Sequence, residues 1–133
     1  MSLSGLDHVT LTARDFTRSV AFYDAVLGAL GLTRLAELVD EEEDEPELEA
    51  VGWGPDGTSA VLWLVPGPTP TTGLHLRLRT DSRLEVEAFH AAGVERGAIS
   101  HVAPRRWALY RSGEFGAMLA DPDGNLVEAV AAE

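Results

Sequence analysis

From Leu6 to Ala13 apolar and polar residues alternate, the period-two signature of a strand with one buried face. The period then changes. Phe16, Val20, Tyr23, Leu27 and Leu30 recur at helical spacing until Gly31 ends the run. Apolar stretches near residues 33–39, 48–53 and 59–65 predict three strands. Pro66-Gly67-Pro68-Thr69-Pro70-Thr71-Thr72-Gly73 cannot continue a central strand, because proline offers no ladder donor, so it reads as a linker. Beyond it the same order returns: a strand over 74–80, a helix over 83–92, and strands near 99–103, 115–120 and 125–130, with Asp123-Gly124 as a hairpin turn.

The recurrence has a register. Displacing the chain by 67 residues against itself pairs His8 with His75, Leu11 with Leu78, Ala21-Phe22 with Ala88-Phe89 and Pro55-Asp56-Gly57 with Pro122-Asp123-Gly124. It also sets Asp15 on Ser82, both favoured helix N-caps, and Ser82-Arg83-Leu84-Glu85 has the spacing of a capping box. An internal duplication accounts for this simply. The expected fold class is α+β: two tandem βαβββ modules, residues 4–65 and 73–131 joined by linker 66–72, in one domain with a helix packed outside each module.

Composition narrows the function classes. Hydrophobic residues make up 45% and charged residues 24%, ordinary for a globular chain, so a packed core rather than disorder is expected. The net charge of -12 repels phosphate backbones and anionic lipid, which disfavours nucleic-acid and membrane partners. Part of that charge is the block Asp40-Glu41-Glu42-Glu43-Asp44-Glu45, read as a solvated loop or, alternatively, a surface that steers a cationic ligand. The apolar runs are too short to span a bilayer, and Met1-Ser2-Leu3-Ser4 lacks a basic signal-peptide start, so the expected location is cytoplasmic. With no cysteine in the sequence, a metal site must use histidine, carboxylate or water.

His8 and His75 occupy matched places on the first strand of each module, so a pseudo-twofold arrangement aims them at one point. Glu128 lies on the last strand, where alternation sets it on one face with Leu126 and Val130. A carboxylate among apolar neighbours needs a cation, and two imidazoles with one carboxylate make the facial ligand set of many non-haem metal sites. The alternative is structural: a lone strand histidine is often a packed one, and Arg77 or Arg79 is an available ion-pair partner for Glu128. His90 reads as structural on its helix, and His101 as undecided.

Three segments carry a family likeness: Leu6-Asp7-His8-Val9-Thr10-Leu11, Ser19-Val20-Ala21-Phe22-Tyr23 leading to Leu27-Gly28, and Asp121-Pro122-Asp123-Gly124-Asn125-Leu126-Val127-Glu128-Ala129. Together they resemble the glyoxalase / bleomycin-resistance / dioxygenase (vicinal oxygen chelate) superfamily. The likeness covers essentially the whole chain, and the D-P-D-G-N-x-x-E ending is its most specific part. It implies paired βαβββ modules curling into an open cup, with His8, His75 and Glu128 holding a divalent metal ion (Fe, Mn, Zn, Ni or Mg).

A fourth ligand of the family does not carry over, since the 67-residue displacement sets Val61 against Glu128. That disfavours glyoxalase I and methylmalonyl-CoA epimerase activities. The resemblance implies instead a metal-dependent lyase, isomerase or dioxygenase whose small-molecule substrate chelates the metal. The alternative is a non-catalytic small-molecule binder like the bleomycin-resistance proteins. Tyr110 is the candidate catalytic residue, as proton donor or oxyanion stabiliser, with an ordinary half-buried strand tyrosine as the alternative. Arg105-Arg106-Trp107 could bind an anion, and Trp53 and Trp63 could line the cup or pack in the core. A homodimer is expected, because open sheet edges are commonly covered by another chain.

Overall fold

The computed structural model describes residues 5–39, 47–107 and 113–132; the acidic run 40–45 and Tyr110 lie outside the described residues. The elements run β1 (Val9–Ala13), α1 (Phe16–Ala29), β2 (Leu32–Val39), β3 (Leu48–Pro55), β4 (Leu62–Pro66), then β5 (His75–Thr80), α2 (Arg83–Glu95), β6 (Ile99–Trp107), β7 (Glu114–Ala120) and β8 (Leu126–Ala132). This is the tandem βαβββ order expected from the sequence, in an α+β fold. The strands form two four-stranded mixed sheets, ordered β1-β4-β3-β2 and β5-β8-β7-β6. In each sheet the first strand pairs parallel with the last, and the other pairings are antiparallel.

The helices start where the sequence places their caps. The Asp15 side chain accepts from the Arg18 N–H, and Ser82 accepts from the Glu85 N–H, each relieving an orphan donor of the first turn. The Glu85 carboxylate is itself held by the Thr80 hydroxyl at the end of β5. Helix α2 runs three residues beyond the predicted end, to Glu95. Strand β1 begins at Val9 rather than Leu6, because the first ladder contact is the Val9 N–H to the Val61 carbonyl at 2.9 Å. His8 therefore sits immediately ahead of the strand.

One hydrophobic core unites both modules. Leu11, Ala13, Leu62 and Leu64 of the first sheet and Phe115, Ala117, Leu119, Val127 and Ala129 of the second pack with Phe22, Tyr23, Val26, Val86 and Phe89 of the helices. The two helices also pack on each other. Gly93 permits this: a Cβ there would lie 2.3 Å from Leu119 Cδ1 and 3.2 Å from Val26 Cγ1. Among the described residues no helix is long and apolar enough to cross a membrane.

The turn Asp121–Asn125 fastens the modules together. The Asp121 carboxylate accepts from the N–H groups of Asp123 and Asn125, each at 2.9 Å, and from the Tyr23 hydroxyl at 2.6 Å. Asn125 binds the linker on both sides, donating to the Thr71 carbonyl and accepting from the Leu74 N–H. The residues that make the D-P-D-G-N ending recognisable thus act largely as a clasp. Burial first, and Asp121 second, push the Tyr23 phenol well above its ordinary range, so it stays a donor. Tyr23→Phe would leave Asp121 short of one bond and cost about 1–3 kcal/mol, read as a lower urea midpoint at unchanged slope. The sign for pH follows: wild-type stability from this contact is complete below the unfolded tyrosine value of about 10 and falls as pH rises past it. The phenylalanine variant should lose that alkaline dependence.

Ladder register corrects one sequence equivalence. Thr10 pairs with Trp63 in the first sheet, and Arg77, its counterpart at 67 residues, pairs with Glu128 in the second. The counterpart of Glu128 is therefore Trp63, not Val61. Six positions separate Gly57 from Trp63 but four separate Gly124 from Glu128, so the ungapped displacement loses register after the turn. Val61 precedes β4 and is its exposed lead-in.

Candidate functional site

Because Val127, Ala129 and Ala131 enter the core, strand alternation sends Glu128 to the outer face of the second sheet. The same logic puts His75 and Arg77 of β5 and Glu114 of β7 on that face, opposite Leu76, Leu78 and Phe115. Glu128 is fully buried and Glu114 is 4% exposed, whereas the His75 side chain is 40% exposed. His75 Nε2 lies 2.9 Å from Glu128 Oε1.

Arg77 joins this pair to the second carboxylate. Its Nε lies 3.3 Å from Glu128 Oε2, an ion pair whose geometry falls short of a hydrogen bond, and Oε2 accepts no hydrogen bond among the described residues. Both terminal nitrogens of Arg77 reach Glu114, at 3.1 and 3.3 Å. The Glu114 hydrogen bonds, with the charge of Glu128 behind them, raise the guanidinium further above its usual value and keep it cationic. Two buried carboxylates thus face one guanidinium. Sequence reading named Arg77 as a possible partner of Glu128 but passed over Glu114. Its signal was its place one step out of phase with Phe115, Ala117 and Leu119.

His8 occupies the corresponding outer face of the first sheet. Its side chain is 44% exposed, and Nδ1 lies 3.5 Å from Asp7 Oδ2. With Thr10, Leu38, Ala50, Trp63 and Val65 it lines a shallow cavity of about 350 Å³. The Trp63 ring lies against Gly52, where a Cβ would come within 3.0 Å of the indole carbons. Trp53, by contrast, is in the core, 1% exposed, with Nε1 donating to Asp24 at 2.8 Å.

The structure brings His75 and Glu128 together, and among the described residues no group of three His, Asp or Glu side chains is placed to hold one metal ion. His8 is on the other sheet's face. His90 Nε2 meets the Ser100 hydroxyl at 2.6 Å, a surface contact between α2 and β6. His101, Arg105 and Arg106 lie exposed on β6, whose pairing with β7 is interrupted by two register shifts. Tyr110 is outside the described residues. Two features of the His75–Glu128 pair suit a divalent cation: a buried carboxylate oxygen, Oε2, that accepts no hydrogen bond among the described residues, and an imidazole and a carboxylate side by side as donors.

Between the edge strands β1 and β5 lies an apolar cavity of about 240 Å³, whose lining includes Leu6, Val9, Val61, Leu76, His8 and Arg77. Leu6 is 84% exposed there.

Comparison with known proteins places these features in context. The model of the Glyoxalase/Bleomycin resistance protein/Dioxygenase superfamily matches residues 5–129. A glyoxalase/bleomycin resistance protein from Albidiferax ferrireducens is similar at 24% identity and TM-score 0.73, over 96% of this chain and 98% of that one. TnmS3, an antibiotic binding protein from a Streptomyces species, is similar at 25% identity and TM-score 0.65, over 100% and 99%. The fosfomycin resistance protein FosX from Listeria monocytogenes, a mutant solved with Mn(II) and a dihydroxypropylphosphonic acid, shares the fold at 19% identity and TM-score 0.69, over 99% and 95%. No curated protein matches the chain.

Proposed function

The chain belongs to the glyoxalase/bleomycin resistance protein/dioxygenase superfamily, and on that premise we propose that it is a divalent-metal-dependent enzyme acting on a small oxygen-rich molecule. The observation that carries this reading is the buried Glu128 carboxylate held 2.9 Å from His75 on the outer face of the second sheet. When bound, the metal supplies Lewis-acid polarisation of a chelating substrate oxygen. His75 and Glu128 hold it, and His8 is the third donor. Arg77, anchored on Glu114, fixes the orientation of Glu128. Tyr110 is the proposed proton donor or oxyanion stabiliser.

His8 reaches that site in this proposal from a second copy of the chain. The edges of β1 and β5, which carry no further strand among the described residues, and the apolar cavity between them are surfaces that another copy would cover. A homodimer joined there sets the β1 edge of one copy beside the β5 edge of the other. Light scattering at micromolar concentration should give twice the chain mass, and a monomer mass would remove the source of the third donor.

A second reading has its own observation. Arg77 already neutralises much of the Glu128 charge without a metal, as suits a non-catalytic small-molecule binder; TnmS3 bears a name of that kind. Titration with MnCl2 separates the two. The enzyme reading expects wild-type binding and its loss in His75→Ala, with a rise in melting temperature on saturation. No bound metal, together with tight antibiotic binding indifferent to EDTA, would move the protein to the binder class.

A further inference from the structure

A cavity of about 250 Å³ lies at the seam between the modules, where the first turn of α1 meets the end of α2 and the turn after β7. None of its lining residues belongs to the His75–Glu128 site. Phe22 of the first module and Ala98 and Ala120 of the second give it apolar walls, and Arg18 and Arg96 bring one arginine from each module. Both arginines are exposed. Helix α2 ends through Gly97, whose φ of 82° reverses the chain, and the Ala98 N–H reaches the Gly93 carbonyl at 3.0 Å. That reversal leaves Arg96 at the cavity. Arg18 stands in the first turn of α1, a turn without an acidic residue, where the positive end of the helix dipole opposes a cation.

The charges of these arginines are not answered locally. Among the described residues neither forms an ion pair. Asp121 is the carboxylate in the wall, and its oxygens are already saturated: Oδ1 accepts from the N–H groups of Asp123 and Asn125, and Oδ2 from the Tyr23 hydroxyl and the Asn125 amide. In a chain with 22 acidic and 10 basic residues this hollow reverses the overall sign. We infer that the seam cavity binds a small organic phosphate monoester, its apolar body on Phe22, Ala98 and Ala120 and its phosphate between Arg18 and Arg96. Guanidinium groups pair their N–H donors with such oxyanions, and two of them favour a doubly charged group over a single carboxylate. The volume lies below the roughly 300–1,000 Å³ of sites for drug-sized molecules, so the body is short. The inference does not depend on a metal.

Phenyl phosphate is the probe, titrated calorimetrically in EDTA at about 0.15 M ionic strength, where diffuse surface attraction is largely screened. Wild type should bind it at least fivefold more tightly than benzoate or inorganic phosphate, and its melting temperature should rise on saturation. Arg18→Gln and Arg96→Gln should each weaken binding at least fivefold. Arg14→Gln, which removes the same charge outside the cavity, should leave it unchanged. Both cavity arginines are exposed, so melts of the ligand-free variants should coincide with wild type and separate lost binding from lost folding. No binding in wild type overturns the inference, as does binding that survives both cavity substitutions. An equal loss in Arg14→Gln would reduce the effect to overall charge and overturn it too. Inorganic phosphate bound as tightly as phenyl phosphate would remove the role of the apolar walls, and benzoate bound more tightly would overturn the assignment to a phosphate.

Discussion

Glu128→Gln is expected to weaken divalent-metal binding by at least about two decades, roughly 3 kcal/mol, while leaving the metal-free protein about as stable as wild type. The substitution keeps the shape of a side chain that has no exposed surface. An amide oxygen can still meet His75 Nε2. What is lost is the negative charge, the component that matters to a dication. Folding responds differently, because Arg77 keeps its two hydrogen bonds to Glu114 when the second carboxylate is gone. Replacing one member of a buried charge cluster is strongly destabilising when it orphans another charge. Here the remaining cation, Arg77, is not orphaned. Thermal melts in EDTA should therefore nearly coincide for the two proteins. Melts at a metal concentration 100 times the wild-type Kd should separate them, since saturation to that degree stabilises wild type by about 2.7 kcal/mol. Equal Mn(II) affinity in the variant would remove Glu128 from the ligand set.

Much of the fold was legible because its determinants are local. The Asp15 and Ser82 caps, the helical period of Phe16 to Leu30 and the proline-rich linker each act within a few residues, and each element appears near its predicted place. The pairing of His75 with Glu128 was legible because strand alternation puts both on one face. Register between strands was not. It depends on how many residues a connection contains, and the longer path from Gly57 to Trp63 moved the ladder past Val61. Glu114 escaped notice for another reason. A single acidic residue beside an apolar run looks like a strand end, and its burial follows only once Arg77 is seen to reach it across β8. The role of Asp121 and Asn125 as a clasp was equally hidden, because Tyr23, Thr71 and Leu74 are remote in the chain or belong to the linker.

The corrected register yields the second large effect. Trp63 stands in the first sheet where Glu128 stands in the second, as their ladder partners Thr10 and Arg77 attest. It lies on the same outer face as Thr10, lines the cavity that His8 lines, and is half-buried against Gly52. Trp63→Glu should therefore place a second carboxylate beside the His8 donor, and a further anionic ligand raises the affinity of an oxygen- and nitrogen-rich site for a dication. Mn(II) affinity is expected to rise at least tenfold in calorimetry. Loss of the indole contact should lower metal-free stability by about 1–2 kcal/mol, since Trp63 is only partly buried and its removal opens the face rather than a sealed cavity. Val61→Glu is the control. Val61 is 41% exposed and precedes β4, in register with Leu126 rather than Glu128. Its side chain lines the cavity at the β1 edge rather than the cavity that Trp63 lines, and metal affinity should stay unchanged. If Val61→Glu rather than Trp63→Glu tightened binding, the loaded protein would have a different β1–β4 register from the one described. If neither did, His8 and the first sheet would lie outside the metal site altogether.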